Sequence, residues 1–184
     1  KEVIFIISKK KIMIKKYFYN DKFYKNIIKK KKDPRIILEY KKILKYKKMI
    51  KFVFQDRPLG TGDAVLKTHK LIKSKFFLML LPDDLIIKNN CSKSMISIHK
   101  KFNSSVMASM KVNKNDVSRW GIYDIKKKIN IKNFYIKKVI EKPTIKRAPS
   151  NNAVIGRYIL PKTIFSKLKK LKPSKGGEIH ITDA

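Results

Sequence analysis

Acidic side chains are scarce in this 184-residue chain: 13 Asp and Glu stand against 47 Lys and Arg, for a formal charge of +34. The one cysteine, Cys91, excludes an internal disulfide and fits a reducing cytoplasm. No apolar run reaches the roughly 20 residues that a membrane span needs. No small-residue cleavage site follows the short apolar stretch Val3–Ile7, so neither a membrane anchor nor a secretory signal is expected. His69, His99 and His180 have no metal-ligand spacing to one another or to Cys91, which reads as an inert thiol.

What is abundant is lysine, and a charge this large invites a nucleic-acid reading. Two features oppose it. The lysines run along the whole chain, through helical and extended stretches alike, and arginine, the bidentate phosphate and base reader, is confined to Arg35, Arg57, Arg119, Arg147 and Arg157. A chain swollen in Lys, Ile, Asn, Phe and Tyr together is what an AT-rich coding sequence writes; a selected polyanion surface is the alternative. No specific nucleic-acid partner is expected, although salt-dependent adhesion to polyanions is.

The hydrophobic share, 43%, suffices for one α/β domain with a real core. Short apolar runs predict strands at Val3–Ile7, Lys51–Phe54, Phe76–Leu81, Ser105–Val112, Gly121–Asp124, Tyr135–Ile140 and Val154–Leu160. Helical spacing predicts helices over Lys11–Tyr19, Ile36–Met49, Ala64–Ile72 with Asp63 as N-cap, Ser92–Phe102 and Thr163–Leu171. Gly177–Asp183 reads as another helix start. Early alternation of strand and helix indicates a mostly parallel sheet covered on both faces. Ligands of such sheets bind beyond the carboxyl ends of the strands, which directs attention to Gln55–Gly62, Pro82–Asp84, Glu141–Pro143 and Ser150–Gly156.

Each of these segments has a chemical and a plain reading. Asp83 and Asp84, where the most apolar strand runs out, suit Mg²⁺, which takes one or two carboxylates plus phosphate oxygens; they equally suit an Asp-rich turn. Gln55 through Gly60-Thr61-Gly62 is a loop entering a helix start, either an anion-accepting backbone or a simple strand-to-helix turn. Glu141 and Lys142 set an acceptor beside a cation, but adjacent strand residues point to opposite faces, so they meet one ligand only if the strand has ended or twisted. Gly156 inside a strand marks either close approach or a bulge.

In order and spacing these segments together resemble the bacterial UTP–glucose-1-phosphate uridylyltransferases. The resemblance rests on Gln55…Pro58-Leu59-Gly60-Thr61-Gly62, Leu81-Pro82-Asp83-Asp84-Leu85, Val117-Ser118-Arg119-Trp120-Gly121-Ile122, Glu141-Lys142-Pro143, Ala148-Pro149-Ser150-Asn151…Gly156-Arg157-Tyr158-Ile159-Leu160 and Gly176-Gly177-Glu178-Ile179-His180-Ile181-Thr182-Asp183-Ala184. It implies a Rossmann-like nucleotidyltransferase fold, a mostly parallel mixed sheet with helices on both faces. The implied reaction is in-line attack of glucose-1-phosphate on the α-phosphorus of UTP, with Mg²⁺ as cofactor, UTP and glucose-1-phosphate as partners and a homo-oligomeric parent. Carried over by motif, Asp83 holds Mg²⁺ with Asp84 behind it, and Gln55 with the backbone at Gly60 reads uracil. Glu141 accepts sugar hydroxyls, Lys142 pairs with the sugar phosphate, and Gly121 and Gly156 let sugar and nucleotide lie against bare backbone.

The chain departs from the pattern at Trp120, where tyrosine is usual, and at Asp63, where histidine is common. It is read as a single domain over residues 1–184, incomplete at both ends. The family's opening strand with its G-x-G-T-R loop and its C-terminal helices are not in this sequence, and a poorly folded, inactive chain is expected on that account. A dTTP-dependent sister enzyme, a basic nucleic-acid-binding remnant and a non-catalytic oligomer subunit are the rival readings.

Overall fold

A computed structural model describes residues 2–87, 90–174 and 176–184; the opening Lys1 lies outside them. The described residues up to Leu71 form one compact unit together with Pro173–Ile179, and those of Ile72–Lys172 with His180–Ala184 form another.

The first unit is built on two parallel strands, β1 (Val3–Ile7) and β2 (Ile50–Phe54), in register from Val3↔Ile50 to Ile7↔Phe54. Parallel neighbours require a crossover, supplied here by α1 (Ile12–Tyr19), α2 (Asp21–Lys31) and α3 (Pro34–Lys47). Local chemistry sets the breaks between these helices. The Asn20 side chain accepts a hydrogen bond from the Phe23 N–H at the start of α2, and Lys32 ends it in the left-handed region at φ 51°. Asp33 then caps α3, accepting from the Arg35 N–H at 2.8 Å, with Pro34 in the first turn, where its missing N–H costs nothing. The helices lay aromatic residues on the sheet: Phe18 meets Phe5, which stacks on Phe52 at 5.5 Å, and Tyr24 stacks on Tyr40. Ile7, Tyr24, Ile43, Ile50 and Val65 are buried. The sequence reading passes over α2 because lysines dominate it. Its signal was the Asn20 cap followed by Phe23, Tyr24, Ile27 and Ile28 at helical spacing. After β2 comes α4 (Gly60–Leu66).

The second unit is a five-stranded sheet. Its elements are β3 (Phe76–Leu80), α5 (Cys91–Phe102), β4 (Val106–Lys111), β5 (Gly121–Lys128), β6 (Phe134–Glu141), β7 (Asn152–Pro161) and α6 (Ile164–Leu168). β7 is the hub. It pairs antiparallel with β3 from Phe76↔Pro161 to Leu80↔Arg157, with β4 across a bulge between Met107 and Ser109, and with β5 at Ile122↔Ala153. β5 and β6 form an antiparallel hairpin closed by the Ile129 N–H to Asn133 carbonyl bond.

The α/β class stands, but the direction of pairing differs from the sequence expectation: β1–β2 is parallel and every pairing of the larger sheet is antiparallel. The reason is local for the hairpin, whose connection is far shorter than the dozen or so residues a parallel crossover needs. Gly177–Asp183 contributes a 3-10 turn at Ile181–Asp183 rather than a longer helix start. No helix among the described residues is long and apolar enough to cross a membrane.

Two clusters fill the core of this unit. Met95 on α5 packs with Ala108 and Ile159, edged by the half-buried Cys91, and Val117 packs with Ile122 and Ala153. The Tyr123 hydroxyl donates to the Ala108 carbonyl at 2.9 Å. Ile122 is 0% exposed; replacing it by Ala should lower stability by about 2–5 kcal/mol through lost burial and a residual cavity. Ile131→Ser, at a position wholly open to solvent, should change it by less than about 0.5 kcal/mol. Urea unfolding followed by circular dichroism measures both.

Candidate functional site

In the first unit the loop after β2 folds back on itself. The Gln55 side-chain amide donates to the Gly60 carbonyl at 3.1 Å and to Asp63 Oδ2 at 2.8 Å. These bonds use the nitrogen of the amide and leave its oxygen as an acceptor. Gly60 has φ +91°, a conformation that disfavours any side chain. A Cβ there would also lie 2.5 Å from the Ile179 carbonyl oxygen. Ile179 is bonded to this loop on both sides, its N–H donating to Leu59 and its carbonyl accepting from Gly62 at 2.7 Å. The chain's own backbone therefore occupies the close approach that Gly60 permits. Asp63, expected as N-cap, lies inside α4, which starts three residues earlier. It is buried, holding Gln55 through Oδ2 and facing Lys67 Nζ at 3.6 Å through Oδ1.

In the second unit the turn leaving β3 is pinned to β7. The Leu81 N–H donates to the Gly156 carbonyl at 2.7 Å, and the Gly156 N–H donates to Asp84 Oδ2 at 2.5 Å. Gly156 has no room for a side chain: a Cβ would lie 2.4 Å from Leu81 Cβ and 2.6 Å from Asp84 Oδ2. The bare backbone expected to receive a ligand at Gly156 is thus filled by the turn itself. Arg157 completes the attachment, donating through Nη1 to the Leu81 and Gly156 carbonyls at 2.6 and 2.8 Å and through Nη2 to the Asp84 carbonyl. With Asp84 committed to β7, the neighbouring Asp83 is exposed and carries no hydrogen bond or ion pair among the described residues.

The other carboxylate of this unit arrives on β6. Gly121 and Glu141 are cross-strand partners, and a Cβ on Gly121 would lie 3.0 Å from Glu141 Oε2; the glycine makes space for the carboxylate. β6 ends at Glu141, and Lys142 adopts φ 43°, its N–H bonded to the Trp120 carbonyl at 3.0 Å. The strand ends at Glu141, so the alternation of faces along a strand does not extend to Lys142. Pro143, the next residue, is buried.

Tyr158 ties these groups together. It is buried on β7, and its phenol is pushed up to about 12, first by burial and then by the negative charges of Asp84, Glu141 and Asp83. The charges of Asp84, Glu141 and Asp83 are thus all felt at one hydroxyl, although 58 positions separate Asp83 from Glu141. Gly156 and Tyr158, two apart on a strand, face the same side, which is why the carboxylate that fills the space above Gly156 is also felt at the Tyr158 hydroxyl. Arg157 and Tyr158 belong to a quoted motif segment, but the sequence assigns neither a role. The available signal was an arginine immediately after a strand glycine, in a chain that almost everywhere uses lysine.

No cluster of three His, Cys, Asp or Glu able to cage a metal occurs among the described residues. The donor set suits a cation that takes one carboxylate here and its remaining oxygens from phosphates, as Mg²⁺ does. Asp83, free and exposed, can supply that carboxylate without dismantling a bond of the fold.

Comparison with known proteins bears on what such a site does. The sequence model of the nucleotidyl transferase family matches residues 5–184. A Methanocaldococcus jannaschii protein, itself provisionally assigned as a UTP–glucose-1-phosphate uridylyltransferase, is 34% identical over the whole of this chain and 64% of its own length. UTP-bound UDP-glucose pyrophosphorylase from Acinetobacter baumannii superposes with a TM-score of 0.85 at 29% identity, over 100% of this chain and 64% of that one. A UDP-glucose pyrophosphorylase crystallised with UDP-glucose gives 0.79 at 32% identity, over 98% of this chain and 65% of that one. The chain thus spans just under two thirds of the length of these relatives.

Two measurements test the geometry. The folded-state pKa of Tyr158 lies above that of a free tyrosine, so its contribution to stability is complete below about pH 10 and is lost as the pH rises through about 12. In an absorbance titration, Tyr158→Phe should remove one phenolate from the phase near pH 12 and leave the phase near pH 10 unchanged. Lys142 pays for its left-handed backbone, so Lys142→Gly should melt no lower than the parent chain, while the β-branched Lys142→Val should cost about 1–2 kcal/mol.

Proposed function

Because the chain belongs to the nucleotidyl transferase family, we propose that it serves the transfer of a uridylyl group from UTP to glucose-1-phosphate, yielding UDP-glucose and pyrophosphate. The observation that carries this reading is Glu141 held opposite Gly121 where β6 ends, with Lys142 next to it in a left-handed turn, in the same unit as the exposed Asp83. A sugar phosphate needs acceptors for its hydroxyls and a cation for its phosphate; Glu141 and Lys142 are that pair, released from strand geometry by the left-handed turn at Lys142.

In this reading the unbonded oxygen of the Gln55 amide accepts from the uracil ring N–H, and the Gly60 region presents backbone beside it. Asp63 restrains the Gln55 side chain by accepting from its amide nitrogen, which leaves the amide oxygen to act as acceptor. Glu141 orients the glucose through its hydroxyls, and Lys142 holds the phosphate whose oxygen attacks the α-phosphorus of UTP in line. Asp83 is the residue that would hold Mg²⁺, whose part when bound is to neutralise phosphate charge and favour departure of pyrophosphate. No covalent intermediate with the protein is required. Orientation and charge neutralisation lower the barrier, as in phosphoryl transfer generally.

Binding tests this reading directly. Although its sequence leads to the expectation of a chain inactive in catalysis, the 184-residue chain has compact units and by calorimetry should bind UDP-glucose, and UTP more tightly than dTTP. Glu141→Gln should weaken UDP-glucose binding by roughly ten- to a hundred-fold, the loss of a charge-assisted hydrogen bond. Absence of UDP-glucose binding, or equal weakening by substitution of a lysine on the exposed β5–β6 hairpin, would overturn it. Preference for dTTP would move the activity to the thymidylyl sister reaction.

A further inference from the structure

The β3–β7 ladder ends at the pair Leu80↔Arg157. Beyond it the turn Leu81–Asp84 leaves the regular ladder, tied to β7 by the Leu81 N–H and the Asp84 carboxylate, and it bears the two carboxylates. Arg157 is the residue at which the regular pairing stops, and its half-buried side chain reaches forward across that end. Its guanidinium touches only carbonyl oxygens: Leu81 at the entry of the turn, Asp84 at its exit, and Gly156 on the facing strand. Among the described residues it has no carboxylate partner, although Asp83 and Asp84 are close in sequence to the carbonyls it binds.

Only arginine can do this. The two terminal nitrogens are held in one plane a fixed distance apart, so carbonyls three residues apart can be bound at once; a lysine offers one nitrogen on a flexible stem. In a chain whose cations are overwhelmingly lysine, an arginine at this position answers a geometric need that charge alone does not create.

We propose that Arg157 is a positioning residue: by clamping the carbonyls at both ends of the Leu81–Asp84 turn it leaves the intervening Asp83 carboxylate presented and unbonded for a metal-nucleotide ligand. Arg157 does not itself touch the ligand. Asp84 acts with it from the side chain, accepting from the Gly156 N–H, so backbone and side-chain bonds converge on both edges of the turn and, among the described residues, none reaches the Asp83 carboxylate. The role of Asp83 rests on the function proposed above; the clamp rests on the hydrogen bonds alone.

The test compares the 184-residue chain with Arg157→Lys, Arg157→Met and Asp83→Asn. Amide hydrogen exchange at Leu81 and Gly156 reads the turn, and electron paramagnetic resonance reads binding of Mn²⁺–UTP. Both Arg157 variants should keep the far-ultraviolet dichroism of the parent, exchange at these two amides at least ten times faster, and lose at least tenfold in Mn²⁺–UTP affinity, with Lys giving no rescue. Asp83→Asn should lose the same affinity while its exchange stays slow. Unchanged exchange in the Arg157 variants, unchanged affinity despite faster exchange, or global unfolding of both variants would each overturn the proposal. Failure of the parent chain to bind Mn²⁺–UTP would sink the functional reading instead, and the exchange comparison would then decide the clamp.

Discussion

A turn bearing two carboxylates lies against β7 only because residue 156 has no Cβ. Any side chain there would overlap Leu81 and Asp84 at distances no packed pair of atoms tolerates. Once the turn is seated, the rest of the site follows. The Gly156 N–H takes one oxygen of Asp84, Arg157 takes the carbonyls at either end, and Asp83 is left as the carboxylate with nothing to do for the fold. A buried N–H without an acceptor would be costly, so Asp84 is as much a structural bond of β7 as a member of an acidic pair.

A similar economy governs the other glycines that matter. Gly121 stands across from Glu141 and yields its space to that carboxylate; Gly60 yields its space to the backbone of Ile179. At all three places the missing side chain serves the protein's own packing, and its effect on a ligand comes through the acidic or amide group thereby held in place. Lys142 is the complementary case, a residue with a full side chain accepted in a left-handed conformation because the strand must end there for Glu141 and Lys142 to stop opposing one another.

The high positive charge is largely independent of this framework. The cores of both units are apolar and aromatic, and the hub strand β7 contributes Ala153, Val154, Tyr158, Ile159 and Leu160 to burial while carrying no lysine. Lysines occupy exposed positions on helices and on the β5–β6 hairpin, where a long solvated cation is tolerated and an edge strand is protected from unwanted pairing. Composition can drift on such surfaces without disturbing the core or the turn that carries Asp83 and Asp84.

Much of the fold was legible from periodicity. Every strand predicted from its short apolar run is present, the helices over Ile36–Met49 and Ser92–Phe102 have counterparts within a residue or two at most ends, and the motif segments fall at strand ends. Three things were not legible. Helix α2 was hidden by its lysines, the antiparallel pairing of the larger sheet depends on contacts between strands as far apart as Phe76 and Pro161, and the roles of Arg157 and Tyr158 could not be told from the motif that contains them. Local spacing determines which residues extend, coil or turn, because it depends on neighbours a few positions away. Which carboxylate is consumed and which is left free was decided only when chain segments more than 70 residues apart came within hydrogen-bonding distance, since that choice depends on the space around Gly156 and on nothing near it in the chain.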